Sequence, residues 1–80
     1  MVKLKEMRQT RGLSQSKLAE KAGTNVRVLQ HYEQGTKNFD HARLDTILKY
    51  AIALECKLED IIESPDYIEL IQKYEKSRGF

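Results

Sequence analysis

Few residues of this sequence have the chemistry that catalysis or metal binding requires. The two histidines, His31 and His41, lie ten residues apart, and the single cysteine, Cys56, is distant from both. Two imidazoles and a remote thiol do not make up the four-ligand set of a tetrahedral metal site. The sequence also lacks a nucleophile grouped with a base and an orienting residue, and it lacks a glycine-rich loop for phosphate. We therefore predict no catalytic residues, no metal and no cofactor.

The remaining polar side chains of interest lie around a helix-turn-helix pattern at residues 13–35. Ser14 is a suitable N-cap for the first helix of the pattern, and Gly23 suits the left-handed position that ends it. Ala19 is small enough to let the two helices approach closely, and Asn25 can cap the second helix. The outer side of that second helix is predicted to carry Asn25, Val26, Arg27, Gln30 and His31.

Helical periodicity continues through the rest of the chain, and no stretch alternates as a strand does. Asp40 is predicted to cap a fourth helix, and a turn at residues 55–57 leads to a short fifth helix. A Ser-Pro pair at residues 64–65 favours the start of a last helix. The predicted inward residues are Leu44, Ile47, Leu48, Ala51 and Leu54 in the fourth helix, and Leu58, Ile61 and Ile62 in the fifth. The sequence thus predicts an all-α domain over residues 1–63, with residues 64–80 as its helical extension.

Composition and charge are typical of one small domain. The 80 residues are 40% apolar and 32% charged, with a net charge of +2. The first fifty residues carry ten basic and five acidic groups, or +5, whereas the last thirty carry four and seven, or −3. This division favours a basic binding surface in the front half. The short apolar runs predict no membrane segment and no secretory signal, and a single cysteine suits the reducing cytoplasm.

The whole pattern resembles the Cro/C1-type (Xre-like) helix-turn-helix family of phage and bacterial regulators. The resemblance covers residues 4–62 and implies a five-helix lambda-repressor-like DNA-binding domain, to which the last helix is added. It rests on Arg8, Arg11-Gly12-Leu13-Ser14-Gln15, Tyr32-Glu33-Gln34-Gly35, Leu44-Asp45-Thr46-Ile47-Leu48 and Leu58-Glu59-Asp60-Ile61-Ile62. Glu55 departs from the family, in which glycine is usual at this turn, and a left-handed glutamate would cost about 1 kcal/mol.

The resemblance implies that the second helix of the motif lies in the major groove of DNA. Gln15 resembles a family glutamine that binds a phosphate at the amino end of the preceding helix. Arg8 and Glu33 match a structural ion pair of the family. The resemblance places Asn25, Val26, Arg27, Gln30 and His31 at or near base edges, and Thr36, Lys37 and Asn38 at the DNA backbone. A plain surface position is the alternative for His31.

An apolar stripe on the last helix has two interpretations. It consists of Tyr67, Leu70, Ile71 and Tyr74. It either seals the core of the monomer or, together with Ile52, pairs with a second copy in a twofold dimer, which we favour. The predicted function is therefore that of a dimeric transcriptional repressor on a palindromic double-stranded DNA operator.

A protein-interaction module is the alternative from another functional class. Such a module, for example an antitoxin or an adaptor, would bind a protein partner through the acidic back half. RNA binding is disfavoured because the basic face has no aromatic residues on which bases could stack.

Overall fold

The computed structural model describes residues 2–78, which form a bundle of five α-helices without a strand. The helices are α1 (Lys3–Thr10), α2 (Gln15–Ala22), α3 (Val26–Gln34), α4 (Leu44–Leu54) and α5 (Pro65–Lys76). Two short 3-10 helices, Phe39–His41 and Leu58–Asp60, connect the later α-helices and are called here the 39–41 turn and the 58–60 turn. The predicted fifth helix is thus a 3-10 helix of three residues. The last two residues of the predicted extension lie outside the described residues.

The ends of α2 and α3 are set by the residues that the sequence indicates. The Ser14 hydroxyl accepts a hydrogen bond from the Lys17 N–H at 3.1 Å, and the Asn25 side chain accepts one from the Arg27 N–H at 2.7 Å. Gly23 ends α2 with φ of 69°, in the left-handed region that favours glycine. These local contacts confirm the predicted turn between the two helices.

An aromatic cluster occupies the centre of the core. Tyr50 of α4 is fully buried, and its ring meets Phe39 and Tyr32 edge-on at centroid distances of 5.8 and 6.5 Å. The Tyr50 hydroxyl is 2.8 Å from the Thr24 hydroxyl. Burial raises the pKa of Tyr50 above its ordinary value, so the phenol stays neutral and can share this hydrogen bond. The cluster joins α3 to α4 immediately behind the helix-turn-helix.

The predicted beginning of α4 is wrong. The helix starts at Leu44 and not after Asp40, which lies in the 39–41 turn. The Asp40 carboxylate instead accepts hydrogen bonds from the N–H groups of Glu63 and Ser64, at the start of α5. Those groups precede or begin a helix and have no partner within it, so a carboxylate from elsewhere in the chain satisfies them.

The predicted inner stripe of α4 is wrong at two positions. Leu44 is 67% exposed and Leu48 is 40% exposed, whereas Tyr50 and Ala53, which the stripe omits, are buried. Leu44 forms the open first turn of the helix, and nothing in the described part of the chain covers this side of α4. The buried side of α4 therefore includes Tyr50 and Ala53, and Leu44 and Leu48 lie on its exposed side.

The packing of α5 divides its apolar stripe. Ile71 is half-buried against the core, together with Ile68, and its assignment to a dimer surface stays a prediction. Tyr67, Leu70 and Tyr74 remain 37%, 62% and 59% exposed. Part of the helix therefore seals the monomer, and another part faces outward.

Glu55 ends α4 in a left-handed conformation, with φ of 51°. The Arg11 guanidinium donates to the carbonyls of Leu54 and Glu55 at 2.8 and 3.2 Å, so the backbone at this turn is held by a side chain of the first loop. The left-handed region is unfavourable for a residue with a Cβ atom. The turn is therefore strained where a glycine would relax it.

Replacing Glu55 with glycine is expected to raise the free energy of unfolding by about 0.5–1 kcal/mol, because glycine adopts this conformation without strain. Urea denaturation of the full chain measures the change. Glu55→Ala is the matched control, since it also removes the carboxylate but keeps a Cβ atom. An equal gain in both variants would assign the effect to charge and not to the backbone.

Candidate nucleic-acid interface

The exposed side of α3 offers several hydrogen-bonding groups in a row. Leu29 and Glu33 are buried, and the opposite side of the helix therefore faces solvent. Arg27, Gln30 and Gln34 are exposed on it, and His31 is half-buried. A guanidinium fork, two amides and an imidazole can donate to and accept from the edges of bases.

Val26 is less exposed than the exposed polar residues on this side of α3. It is half-buried and packs against the core at the first turn of α3, so little of its side chain is free to contact a partner. Val28, which the predicted site omits, is half-buried and lies one turn before His31. Gln34 is a second omission, at the end of the exposed side. The periodicity set by Leu29 and Glu33 could have indicated both.

A buried ion pair fixes α3 against α1. The Arg8 guanidinium grips the Glu33 carboxylate with two hydrogen bonds, from Nε at 2.7 Å and from Nη2 at 3.0 Å. The side chains are only 11% and 2% exposed. Arg8 also donates to the Leu13 carbonyl at 2.8 Å. The ion pair thus fixes the buried side of α3 against α1, and the exposed side of α3 stays free to contact a partner.

Gln15, the first residue of α2, completes this network. Its side-chain amide donates to the Glu33 carboxylate at 3.0 Å, and the residue is half-buried. An amide has a second N–H and a carbonyl oxygen, so Gln15 keeps hydrogen-bonding capacity for an outside partner. A phosphate at the amino end of α2 would also be favoured by the helix dipole.

His31 and Thr36 hold each other at the end of α3. The Thr36 hydroxyl donates to the His31 carbonyl at 3.1 Å and lies 2.9 Å from the ring Nδ1. The His31 carbonyl also accepts from the Thr36 and Lys37 N–H groups at 3.1 and 3.3 Å, so the hydroxyl can instead donate to Nδ1. The tautomer decides which ring nitrogen carries the hydrogen, and the imidazole can donate or accept at Nε2.

The segment after α3 extends the exposed surface. Thr36, Lys37 and Asn38 are all exposed, and the Asn38 side-chain oxygen accepts a hydrogen bond from the Asp40 N–H at 3.0 Å. The Asn38 amide nitrogen and the Lys37 ammonium group are thus left to face outward. Both are donors suited to an anionic partner.

The basic side chains of the first fifty residues are less available to an outside partner than the net charge of this half indicates. Lys3 donates to the carbonyls of Glu59 and Ile62, at 3.0 Å each. Arg8 is neutralised by Glu33, and Arg11 is bound to the carbonyls that end α4. The exposed cations around α2, α3 and the segment after α3 are Lys17, Lys21, Arg27 and Lys37. These four are the exposed cations in this part of the chain that a polyanion could meet.

The other candidate chemistries find little support among residues 2–78. These residues bring together no group of three His, Cys, Asp or Glu that could hold a metal ion. Burial raises the pKa of the Cys56 thiol above its usual value, which disfavours the reactive thiolate. Within the same range, no helix is both long and apolar enough to cross a membrane.

Comparison with known proteins identifies the family. No curated protein matches the sequence. The sequence model described as helix-turn-helix matches residues 4–61, which span α1 through the 58–60 turn and most of the chain. Members of this family are DNA-binding regulators. The matched range includes both helices of the motif, the Arg8–Glu33 ion pair and the exposed side of α3. The chain therefore belongs to the Cro/C1-type helix-turn-helix family.

Proposed function

We propose that this DNA-binding regulator recognises a specific double-stranded DNA sequence with α3 in the major groove and represses transcription there. The observation that carries the proposal is the exposed side of α3, which is held from behind by the Arg8–Glu33 pair. A rigid helix with a free row of donors and acceptors is what direct recognition of base edges requires. Repression follows from occupancy of an operator.

The proposed contacts fall into two groups. In the first group, the Arg27 fork suits guanine, the Gln30 amide suits adenine, and the His31 Nε2 can donate to or accept from a base edge. Asn25 and the accessible part of Val26 lie at the start of the same helix. The second group holds the DNA backbone and consists of Gln15, Thr36, Lys37 and Asn38. Backbone contacts position α3, and base contacts give the sequence preference.

Selection of bound fragments from random duplex DNA, followed by titration at several salt concentrations, tests the proposal. We expect an enriched motif and a steep decline of log affinity with log salt concentration, because bound cations displace counterions from phosphate. A chain that binds no duplex even at low salt would refute the proposal. That result would favour the alternative function as a protein-interaction module. The same preparation tests this alternative by whether the chain binds a protein partner.

Replacing Arg27 with alanine is expected to weaken binding to the selected sequence by about 1–3 kcal/mol and to relax the preference at one base pair. Fluorescence anisotropy with a duplex panel, in which each base pair is varied, measures both effects. Arg78→Ala is the control, because it removes the same charge from an exposed site beyond α5. Equal losses in both variants would show that Arg27 contributes only a general electrostatic attraction to phosphate.

A second copy of the chain is the proposed occupant of an apolar groove between α4 and α5. The groove, called here the α4–α5 groove, is bordered by Leu44, Leu48 and Ile52 on α4 and by Tyr67 and Leu70 on α5. Two open cavities of about 820 and 220 Å³ lie along it. Ile52 is 76% exposed, and such a concentration of exposed apolar side chains is typical of an interface.

The charges of α5 favour a second copy in antiparallel orientation. The first half of the helix carries Asp66 and Glu69, or −2, and the second half carries Lys73, Glu75 and Lys76, or +1. Antiparallel pairing about a twofold axis brings the acidic half of each helix near the basic half of the other. A twofold dimer would place two α3 helices on a palindromic operator, with half-sites about one helical turn, ~34 Å, apart.

A further inference from the structure

Three consecutive residues of the 39–41 turn contact elements that belong to different proposed surfaces. The Phe39 ring is buried and meets Tyr32 of α3 edge-on at 5.2 Å. The Asp40 carboxylate accepts hydrogen bonds at the start of α5, and the His41 ring lies 5.9 Å from the ring of Tyr67 on α5. The turn thus links the helix proposed to contact bases with the helix proposed to form the dimer.

Asp40 contributes the hydrogen bonds of this link, which are its directional contacts. One carboxylate oxygen accepts from the Glu63 N–H at 2.9 Å, and the other accepts from the Ser64 N–H at 2.7 Å. Ser64 is the N-cap of α5. On its other side, the Asp40 N–H donates to Asn38, a proposed contact to the DNA backbone. A chain of hydrogen bonds therefore runs from the segment after α3 through Asp40 to the N-cap of α5.

We propose that Asp40 is a positioning residue that fixes the spacing of the two DNA half-sites, by setting the angle of α5 relative to α3. The inference rests on the proposed function, since it needs a dimer that binds DNA. The proposed role concerns the preferred distance between half-sites, which neither the exposed side of α3 nor the α4–α5 groove determines alone. Base contacts choose each half-site, whereas the rigidity between the two surfaces chooses the distance between half-sites.

The other contacts of α5 are less able to set its angle. Ile68 and Ile71 pack against the core through apolar contacts, which tolerate small rotations because they have no directional preference. Gln72 donates to Glu59 at 2.9 Å, but both side chains are long and flexible. A rotation of about 10° moves a point about 20 Å away by about 3.4 Å, which is one base-pair step. A small loss of rigidity at Asp40 is therefore enough to weaken the preference for one distance between the half-sites.

The test uses the full chain and duplexes that carry two selected half-sites, separated in steps of one base pair. For the native sequence we expect one preferred spacing. In Asp40→Asn the preference over the neighbouring spacings should fall by about tenfold, while the affinity for a single half-site changes by less than about twofold. The asparagine keeps one acceptor but turns an N–H donor toward a backbone N–H.

Asp45→Asn is the matched control. Asp45 is an exposed acid nearby in the chain, its carboxylate lies 3.3 Å from Arg43, and it accepts only from its neighbour Thr46 N–H within residues 2–78. Loss of a negative charge by itself strengthens attraction to phosphate equally at all spacings. We therefore expect the Asp45→Asn spacing profile to match the native one, so a flattened profile in Asp40→Asn alone isolates the hydrogen bonds from the charge.

An unchanged profile in a folded Asp40→Asn protein overturns the inference and leaves DNA binding intact. If circular dichroism shows that this variant does not fold, Asp40→Glu decides, because it keeps both acceptor oxygens and the charge but displaces them by one methylene from the Glu63 and Ser64 N–H groups. A flattened or displaced spacing profile supports the inference, and the native profile overturns it. Failure of the native chain to prefer any pair of half-sites would remove the proposed function itself, and with it this inference.

Discussion

Replacing Arg8 with alanine is expected to lower the free energy of unfolding by about 3–5 kcal/mol, the cost of breaking a buried ion pair from one side. The Glu33 carboxylate, 2% exposed, would keep only the Gln15 amide as a partner. A domain of this size has a total stability of about 4–12 kcal/mol. The variant should therefore lose a quarter or more of its total stability. Urea denaturation followed by circular dichroism measures the loss.

An exposed ion pair of the same chemistry provides the control. Arg43 lies 3.3 Å from Asp45, and their side chains are 85% and 51% exposed. Because solvent screens this pair, Arg43→Ala should change stability by less than about 0.5 kcal/mol. If Arg8→Ala cost no more than Arg43→Ala, the ion pair could not be what anchors α3. The double variant Arg8→Met/Glu33→Leu should recover much of the loss, since no charge is then left buried.

Replacing Leu70 with aspartate is expected to separate the dimer and to weaken binding to a paired operator by about 10²–10⁴-fold, because each half-site is then bound independently. Leu70 is 62% exposed, so the monomer should keep its stability to within about 0.5 kcal/mol. Sedimentation equilibrium gives the association state, and titration of single and paired half-sites gives the two affinities. Affinity for a single half-site should not change.

Gln9→Asp is the control for the added charge. Gln9 is exposed on α1 and lies outside both the α4–α5 groove and the charges of α5. We expect this variant to remain a dimer. A Leu70→Asp protein that still dimerised would show that the second copy does not occupy the α4–α5 groove. Dimerisation lost equally in both variants would point to a general effect of net charge on association.

The parts of the fold that the sequence predicts well depend on local chemistry. Ser14, Asn25 and Ser64 begin their helices because each side chain caps an N–H group two or three residues ahead. Gly23 and Gly35 end helices for an equally local reason. Such contacts need no knowledge of the rest of the chain.

The errors in the core and at α4 arise where distant segments decide. Asp40 has the composition of a helix cap, but its partners are 23 and 24 residues away, at the start of α5. Leu44 has the spacing of a core residue, but no described element covers it. Tyr50 is buried because Thr24 and Phe39 converge on it from two other segments. A periodic pattern on one helix cannot indicate these arrangements.

The candidate interface is predictable to a similar extent. The exposed side of α3 follows from its own periodicity, since Leu29 and Glu33 define the buried side. The family resemblance implies the Arg8–Glu33 pair, whereas spacing alone does not indicate it. The sequence also does not indicate that Lys3 and Arg11 bind backbone carbonyls, because their partners lie up to 59 residues later in the chain.

The position of Lys3 also has a consequence for the order of folding. Its ammonium group binds carbonyls of Glu59 and Ile62, and its N–H donates to the Glu63 carboxylate. During synthesis, α1 leaves the ribosome before the other helices of this bundle, yet these partners emerge 56 to 60 residues later. Contacts between such distant residues form slowly because a long loop must close first. Although α1 precedes the other helices of the bundle, it is therefore among the last of them to gain its full set of contacts.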